Sequence, residues 1–227
     1  MRNDVKVDRR QWLRMTAALL AVQMAWLRKA LAAGSVEKGV HRVRGDVRVN
    51  GTPATEGMDV KAGDVVTTGA GSEAVFVTGR DAFLIRANSR VEAQGVLGAL
   101  ILTGLRVVTG ALLSVFAPGE RKTLRTPTAI IGIRGTAVYL EAEETRTYVC
   151  TCYGEADIES AMDPSARETV RTGHHEQPRY VMGMGAPQML MDAPVVNHTD
   201  AELTMLEALV GRRPPFLFQP GYQPGKY

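Results

Sequence analysis

From Val40 onward, short apolar runs alternate with polar positions and are broken by Gly, Asn or Asp about every eight to twelve residues, the texture of an all-β domain. The alternation predicts strands over 41–44, 46–49, 65–67, 74–78, 82–86 and 90–94. It continues over 105–108, 111–116, 123–126, 129–133, 136–141, 145–153 and 156–159. Asn50-Gly51 suits the positive φ of a type I′ hairpin turn, and Gly79-Arg80-Asp81 and Ala87-Asn88-Ser89 supply further turn chemistry. Strands this short do not stand alone. The expected fold is therefore mainly β, with many short strands in a folded-over roll, a sandwich or a short solenoid.

Three stretches break the pattern. The run Val96 to Thr103 reads equally as a buried strand or a helical turn. A short strand follows at 168–171, and then the chain becomes Met-, Gly- and Pro-rich from Pro178 to Pro194. Thr199-Asp200-Ala201-Glu202 is a capping-box sequence, Leu203, Leu206, Leu209 and Val210 form an apolar stripe, and Gly211 supplies a stop; together they predict one short C-terminal helix. These changes divide the chain into a leader at 1–32, a β domain at 36–172, an extension with a His pair at 173–195, and a helix and tail at 196–227.

The leader changes the meaning of the net charge. The whole chain of 227 residues is formally +3, but residues 1 to 32 hold seven basic against two acidic side chains, so the remainder is near −2 and has no overall positive field for nucleic acid. Basic residues to Arg14, an apolar run from Met15 to Leu27 and the small residues Ala30-Leu31-Ala32 give the architecture of a helical signal peptide, whose apolar run is short for a membrane span. Asp8-Arg9-Arg10-Gln11-Trp12-Leu13-Arg14 resembles the twin-arginine signal in its arginine pair and Leu13, and departs from it at Asp8, Trp12 and Arg14. Periplasmic localisation after export by that route is expected, with no integral membrane segment once the leader is removed.

Four stretches of the β region resemble the FecR periplasmic domain. They are Gly45-Asp46-Val47 with Gly63 to Gly69; Gly71-Ser72-Glu73-Ala74-Val75-Phe76; Leu84-Ile85-Arg86-Ala87-Asn88-Ser89-Arg90-Val91; and Thr126-Pro127-Thr128-Ala129 leading into Ile133-Arg134-Gly135-Thr136-Ala137-Val138. In the last stretch Pro127 suits the first residue of a strand and Gly135 a turn or bulge. The resemblance implies an envelope binding, sensing or scaffold module that acts on a protein partner. Its best-known members pass receptor occupancy to a cytoplasmic anti-sigma segment. Here the leader stands in that place, so direct anti-sigma activity is not expected.

The candidate chemistry lies later in the chain. In a strand Cys150 and Cys152 share one face about 6.6 Å apart at Cα, and a hairpin return near Thr172 brings His174 and His175 within reach. Two thiolates with one or two imidazoles describe a site for zinc, or for copper or iron. Adjacent histidines on a strand point to opposite faces, so both bind only if Gly173 opens the backbone. A strained Cys-x-Cys disulfide and a pair of buried reduced thiols are the competing readings. His41 and His198 read as ordinary surface or cap residues.

No Gly-x-Ser-x-Gly, His-Glu-x-x-His or Walker sequence is present, and Gly69-Ala70-Gly71-Ser72-Glu73-Ala74 runs into a strand instead of a phosphate-binding helix. The expected function is thus a non-catalytic FecR-like envelope module, with a metal-binding or thiol redox protein using Cys150 and Cys152 as the alternative. Replacing Arg9 and Arg10 together by Lys is expected to leave the uncleaved chain in the cytoplasm, as read by cell fractionation and immunoblotting. Export and processing equal to the parent would refute the twin-arginine assignment.

Overall fold

The computed structural model describes residues 38–223, so the leader and its predicted signal helix lie outside the described residues. The chain is mainly β. Its strands are β1 (Gly39–Arg44), β2 (Val47–Val49), β3 (Thr52–Pro53), β4 (Val65–Thr68), β5 (Glu73–Thr78), β6 (Asp81–Ile85) and β7 (Arg90–Gln94). They continue as β8 (Gly104–Val115), β9 (Arg121–Arg125), β10 (Ala129–Ala142), β11 (Arg146–Ser160), β12 (Arg167–Thr172), β13 (Arg179–Met182) and β14 (Leu190–Asp192). One helix, α1 (Asp200–Leu209), and a 3-10 turn at Pro215–Phe218 follow. Among the described residues no helix is long and apolar enough to cross a membrane.

All fourteen strands join one mixed sheet, in which the three long strands change partners along their length. β8 pairs with β7 and, in parallel, with β9 through its first half, then with β6 and β10 through its second. β11 pairs with β13 near its start and with β12 near its end, while β10 lies along its other side. One face closes on a core drawn from β1 through β13, including Phe76, Phe83, Leu105, Leu112, Leu124, Ile131 and Val138. Of the shapes expected, the roll describes this arrangement, since one sheet encloses its own core.

Period-two alternation gives the central strands a second buried face. Val75, Val77, Ala82, Leu84, Leu113, Val115, Ala137, Tyr139, Tyr148, Cys150 and Cys152 point away from the first core into a second, which Leu203, Leu206, Leu209, Val210 and Phe216 complete. This explains why β5 and β6 read as nearly continuous apolar runs: both of their faces are covered. The helix forms where predicted. Thr199 accepts from the Glu202 backbone while the Glu202 side chain accepts from the Thr199 N–H, and Gly211 leaves the helix at φ +71.

Three differences from the sequence pattern have local causes. Gly110, Gly135 and Gly154, which seemed to separate strands, lie inside β8, β10 and β11 with φ of +90, +62 and +93. The register of β10 on β11 shifts between Arg134 and Ala137, so Gly135 marks a bulge, and a β-carbon there would stand 2.7 Å from the Cα of Pro118. Pro127 precedes β10, which begins two residues later. The Met-, Gly- and Pro-rich stretch contributes β13 and β14, and the run from Val96 to Thr103 is a loop.

Gly104 lies opposite Thr123 in the parallel β8–β9 pairing, where a β-carbon would overlap the Thr123 carbonyl group. Gly104→Ala is expected to lower stability by about 3 kcal/mol. Gly71→Ala, at φ +63 with open space around it, should cost only about 1 kcal/mol. Urea midpoints of the two variants check the difference. Removing residues 200–227 uncovers the second core and is expected to lower the urea midpoint and to raise binding of a hydrophobic dye.

Candidate metal centre

Cys150 and Cys152 occupy alternate positions of β11, so both side chains enter the second core, and both are fully buried. Two further segments complete the cluster. β12 ends at Thr172, and the bend that follows turns back over β11, where the His175 N–H donates to the Cys152 carbonyl at 3.0 Å. His175 holds a left-handed backbone, φ +57, so the histidine pair is released from strand geometry and the two rings separate. Further on, Asn197 at φ +59 turns the chain into α1, which places His198 and Asp200 on either side of the cap residue Thr199.

One ligand atom from each of Cys150, Cys152, His175 and His198 falls within 4.8 Å of all the others, and all four residues are buried. Cys150 Sγ stands 3.5 Å from His175 Nδ1, which is 2.9 Å from His198 Nε2. A tetrahedral zinc ion with ordinary Zn–S and Zn–N bonds has ligand-to-ligand edges of roughly 3.3–3.8 Å. The 3.5 Å sulfur–nitrogen contact matches such an edge, and the 2.9 Å nitrogen–nitrogen contact lies a few tenths of an ångström inside it.

The hydrogen bonds around the rings fix which nitrogens face inward. A backbone carbonyl only accepts, so His198 Nδ1 carries the hydrogen in its 2.7 Å contact with Val196 O. The Asp200 carboxylate likewise accepts from His175 Nε2 at 3.2 Å. The other nitrogens, His175 Nδ1 and His198 Nε2, then face each other beside the Cys150 sulfur, in contacts whose donor depends on the tautomer. A proton held there makes hydrogen bonds, and a cation in its place would be met by the same two nitrogens and the sulfur. Carboxylate–histidine and carbonyl–histidine pairs of this kind also orient imidazoles for metal binding.

The sulfurs are not equivalent. A hydrogen bond from the Cys152 thiol, aided by His175 and His198 and opposed by burial, holds Cys150 well below the usual thiol range. Burial, followed by its bond to Cys150, pushes Cys152 well above it. Cys152 is thus the donor of the pair, with the Cys150 carbonyl oxygen as a further acceptor 3.6 Å from its Sγ. Burial also pushes Tyr139 and Tyr148 up, so both phenols stay protonated beside the cluster.

Three of the four residues expected from the sequence converge: Cys150, Cys152 and His175. His174 turns outward and donates from Nε2 to Asp200 Oδ1 at 2.7 Å, with its ring 4.5 Å from that of Phe216. His174, His175 and Asp200 form their own close set, and Tyr222 donates to the second Asp200 oxygen at 3.1 Å. His198 corrects the surface or cap expectation: it is 4% exposed, stacked on Tyr139 at 4.6 Å, and completes the cluster. The sequence held only a weak signal for it, a histidine directly before a capping box.

The cover over the site is tied down at both ends. Arg86 donates to Asn197 O at 2.8 Å and to Glu202 at 2.9 Å, while Asn197 donates to Glu141 at 2.7 Å. At the other end Tyr153 donates to Glu207, and Arg212 bridges Glu207 and the Arg80 carbonyl at 2.5 and 2.6 Å. Burial and the Glu207 carboxylate push the Tyr153 phenol up, which keeps it a donor.

No family model matches the chain, and no curated protein matches it. Two crystal structures of a candidate anti-sigma factor from Parabacteroides distasonis ATCC 8503 align with it at a TM-score of 0.46 and 11% identity. The alignment covers 57% of this chain and 58% of that one, so the chain spans less than two thirds of that protein's length.

Proposed function

We propose that the chain is an exported, non-catalytic binding or scaffold module of a bacterial envelope, of FecR-like construction, whose C-terminal segment is fastened by a buried Cys2His2 metal centre. The convergence of Cys150, Cys152, His175 and His198 in one buried set, with a ligand atom of each within 4.8 Å of all the others, is the observation that favours a metal. Zinc suits two thiolates and two imidazoles best. Cys150 and Cys152 would hold it from β11, His175 from the bend after β12 and His198 from the entry to α1. Asp200 would orient His175, and His174 would orient Asp200.

Burial favours this reading over thiol redox chemistry. A redox pair has to exchange with a thiol or disulfide from outside, whereas both cysteines have no exposed surface and lie beneath α1 and Phe216. The four FecR-like stretches favour the envelope module, and the leader sequence favours export. Zinc would link three segments far apart in sequence, which is a structural role; a partner would bind elsewhere on the module.

Elemental analysis of the leader-processed protein, purified without a metal-binding tag, is expected to find about one zinc per chain. Cys150→Ser and His198→Ala should each lose it and lower the thermal midpoint. Metal-free protein of parental stability, with two thiols titratable after unfolding, would overturn the proposal; copper or iron at the same stoichiometry would keep the site and change its metal. Asp200→Asn should weaken zinc binding by roughly 10–100-fold, as loss of an orienting carboxylate does elsewhere, measured by competition with a chromophoric chelator.

A further inference from the structure

Residues 95–103, between β7 and β8, hold a feature that the metal reading does not use. The stretch Gly95 to Thr103 has no charged residue, and Val96, Leu97 and Ile101 are 77, 85 and 63% exposed. Loop tips normally carry small or polar residues. This loop is also firmly held. Gly98 donates to Ala62 O and Ala62 to Ala99 O, both at 2.8 Å, Ala99 donates to Val96 O at 2.9 Å, and Thr103 to Gln94 O at 2.8 Å. Lys122 Nζ donates to Leu102 O at 2.6 Å, and Leu102 itself is buried. Leu97 lies over Gly63, where a β-carbon would overlap it.

The entry of the chain into the fold lies close by. Val40 donates to Met58 O and Gly57 to Val40 O, both at 2.8 Å, and three residues separate Met58 from Ala62, which holds the loop. The apolar sequence from Met15 to Leu27 precedes this point by eleven residues, Arg28 to Lys38, a reach of at most about 40 Å.

We propose that the 96–101 tip is a membrane-docking element, with Val96, Leu97 and Ile101 inserting into the surface of a phospholipid bilayer at the end of the domain where the chain enters. Three side chains on a tip cover far less than the roughly 1,200 Å² a stable protein interface needs. The tip also lacks the aromatic and Arg anchors such interfaces favour. Lipid makes neither demand. It requires instead that little unpaired backbone or charge be carried out of water; the bonds at Val96 O, Gly98, Ala99 and Leu102 O hold part of the tip's backbone, and the side chains would insert while the rest of that backbone stays among the hydrated headgroups. A few aliphatic side chains bind a bilayer weakly alone, so the tip would act with a second signal, which the apolar run at 15–27 supplies in the unprocessed chain.

The test uses the full chain and vesicles of phosphatidylethanolamine and phosphatidylglycerol. An environment-sensitive fluorophore on Leu97→Cys is expected to shift to the blue on adding vesicles and to be quenched by brominated acyl chains, while the same label on Ser165→Cys should not respond. The double variant Val96→Asp, Leu97→Asp should partition to vesicles at least tenfold less than the parent, with an unchanged urea midpoint. Equal partitioning, an equal response at position 165, or a blue shift that follows protein concentration without vesicles would overturn the proposal; the last would make the tip a contact between copies of this chain. The zinc content of these variants does not bear on the outcome, so this test and that of the metal centre fail separately.

Discussion

The structure depends on burial of both faces of its central strands. A sheet that rolls over its own core still presents a second face to water, and in β5, β6, β8, β10 and β11 that face carries Val75, Val77, Leu84, Leu113, Tyr139 and Tyr148. Each large apolar side chain left in water would cost about 1.5–3 kcal/mol. A cover is therefore required, and among the described residues it comes from the C-terminal segment, since the earlier strands are committed to the roll. Its helix has ten residues, too short to persist by itself. The leucine stripe, the ties through Arg86 and Arg212, and the cysteine–histidine cluster beneath compensate for that shortness.

Strand existence was legible because alternation and turn residues agree locally, as at Asn50-Gly51, whose φ values are 52 and 80. The helix was legible for the same reason, since the capping box and the stripe lie within twelve residues. Strand length was not. Gly110, Gly135 and Gly154 look like breaks in one dimension and lie inside long strands in three, because close approach of Ser89, Pro118 and Thr136 requires a residue without a side chain. β13 and β14 were missed because composition dominated the reading of a segment whose strands are fixed by pairing, β13 with β11 and β14 with β13.

The site divides in the same way. Cys150 and Cys152 on one face follow from the period of a strand, and His175 from the return after β12. His198 lies 46 residues beyond Cys152, and nothing local marks it as buried; its position follows from where α1 docks. His174 and His175 were indistinguishable in sequence. The left-handed backbone at His175 separates them, sending one ring toward the sulfurs and the other toward Asp200.

Charge balance bears on what that buried cluster can hold. Asp200 is 4% exposed, and its ion-pair partners among the described residues are His174 and His175; no Lys or Arg reaches it. The sulfur of Cys150 favours the anionic form in a site without exposure. Two anions buried together without compensation cost several kcal/mol each. A proton on His175 Nδ1 or His198 Nε2 would offset part of this as a hydrogen bond to the facing nitrogen or to the Cys150 sulfur. A divalent cation between two thiolates is neutral as a unit and uses both inward nitrogens. It would leave Asp200 to be satisfied by the two histidine N–H groups and the Tyr222 hydroxyl that already surround it. On this argument the second face of the sheet and the cysteine–histidine cluster are one construction: the apolar residues supply most of the adhesion, and the cluster fixes where the cover sits.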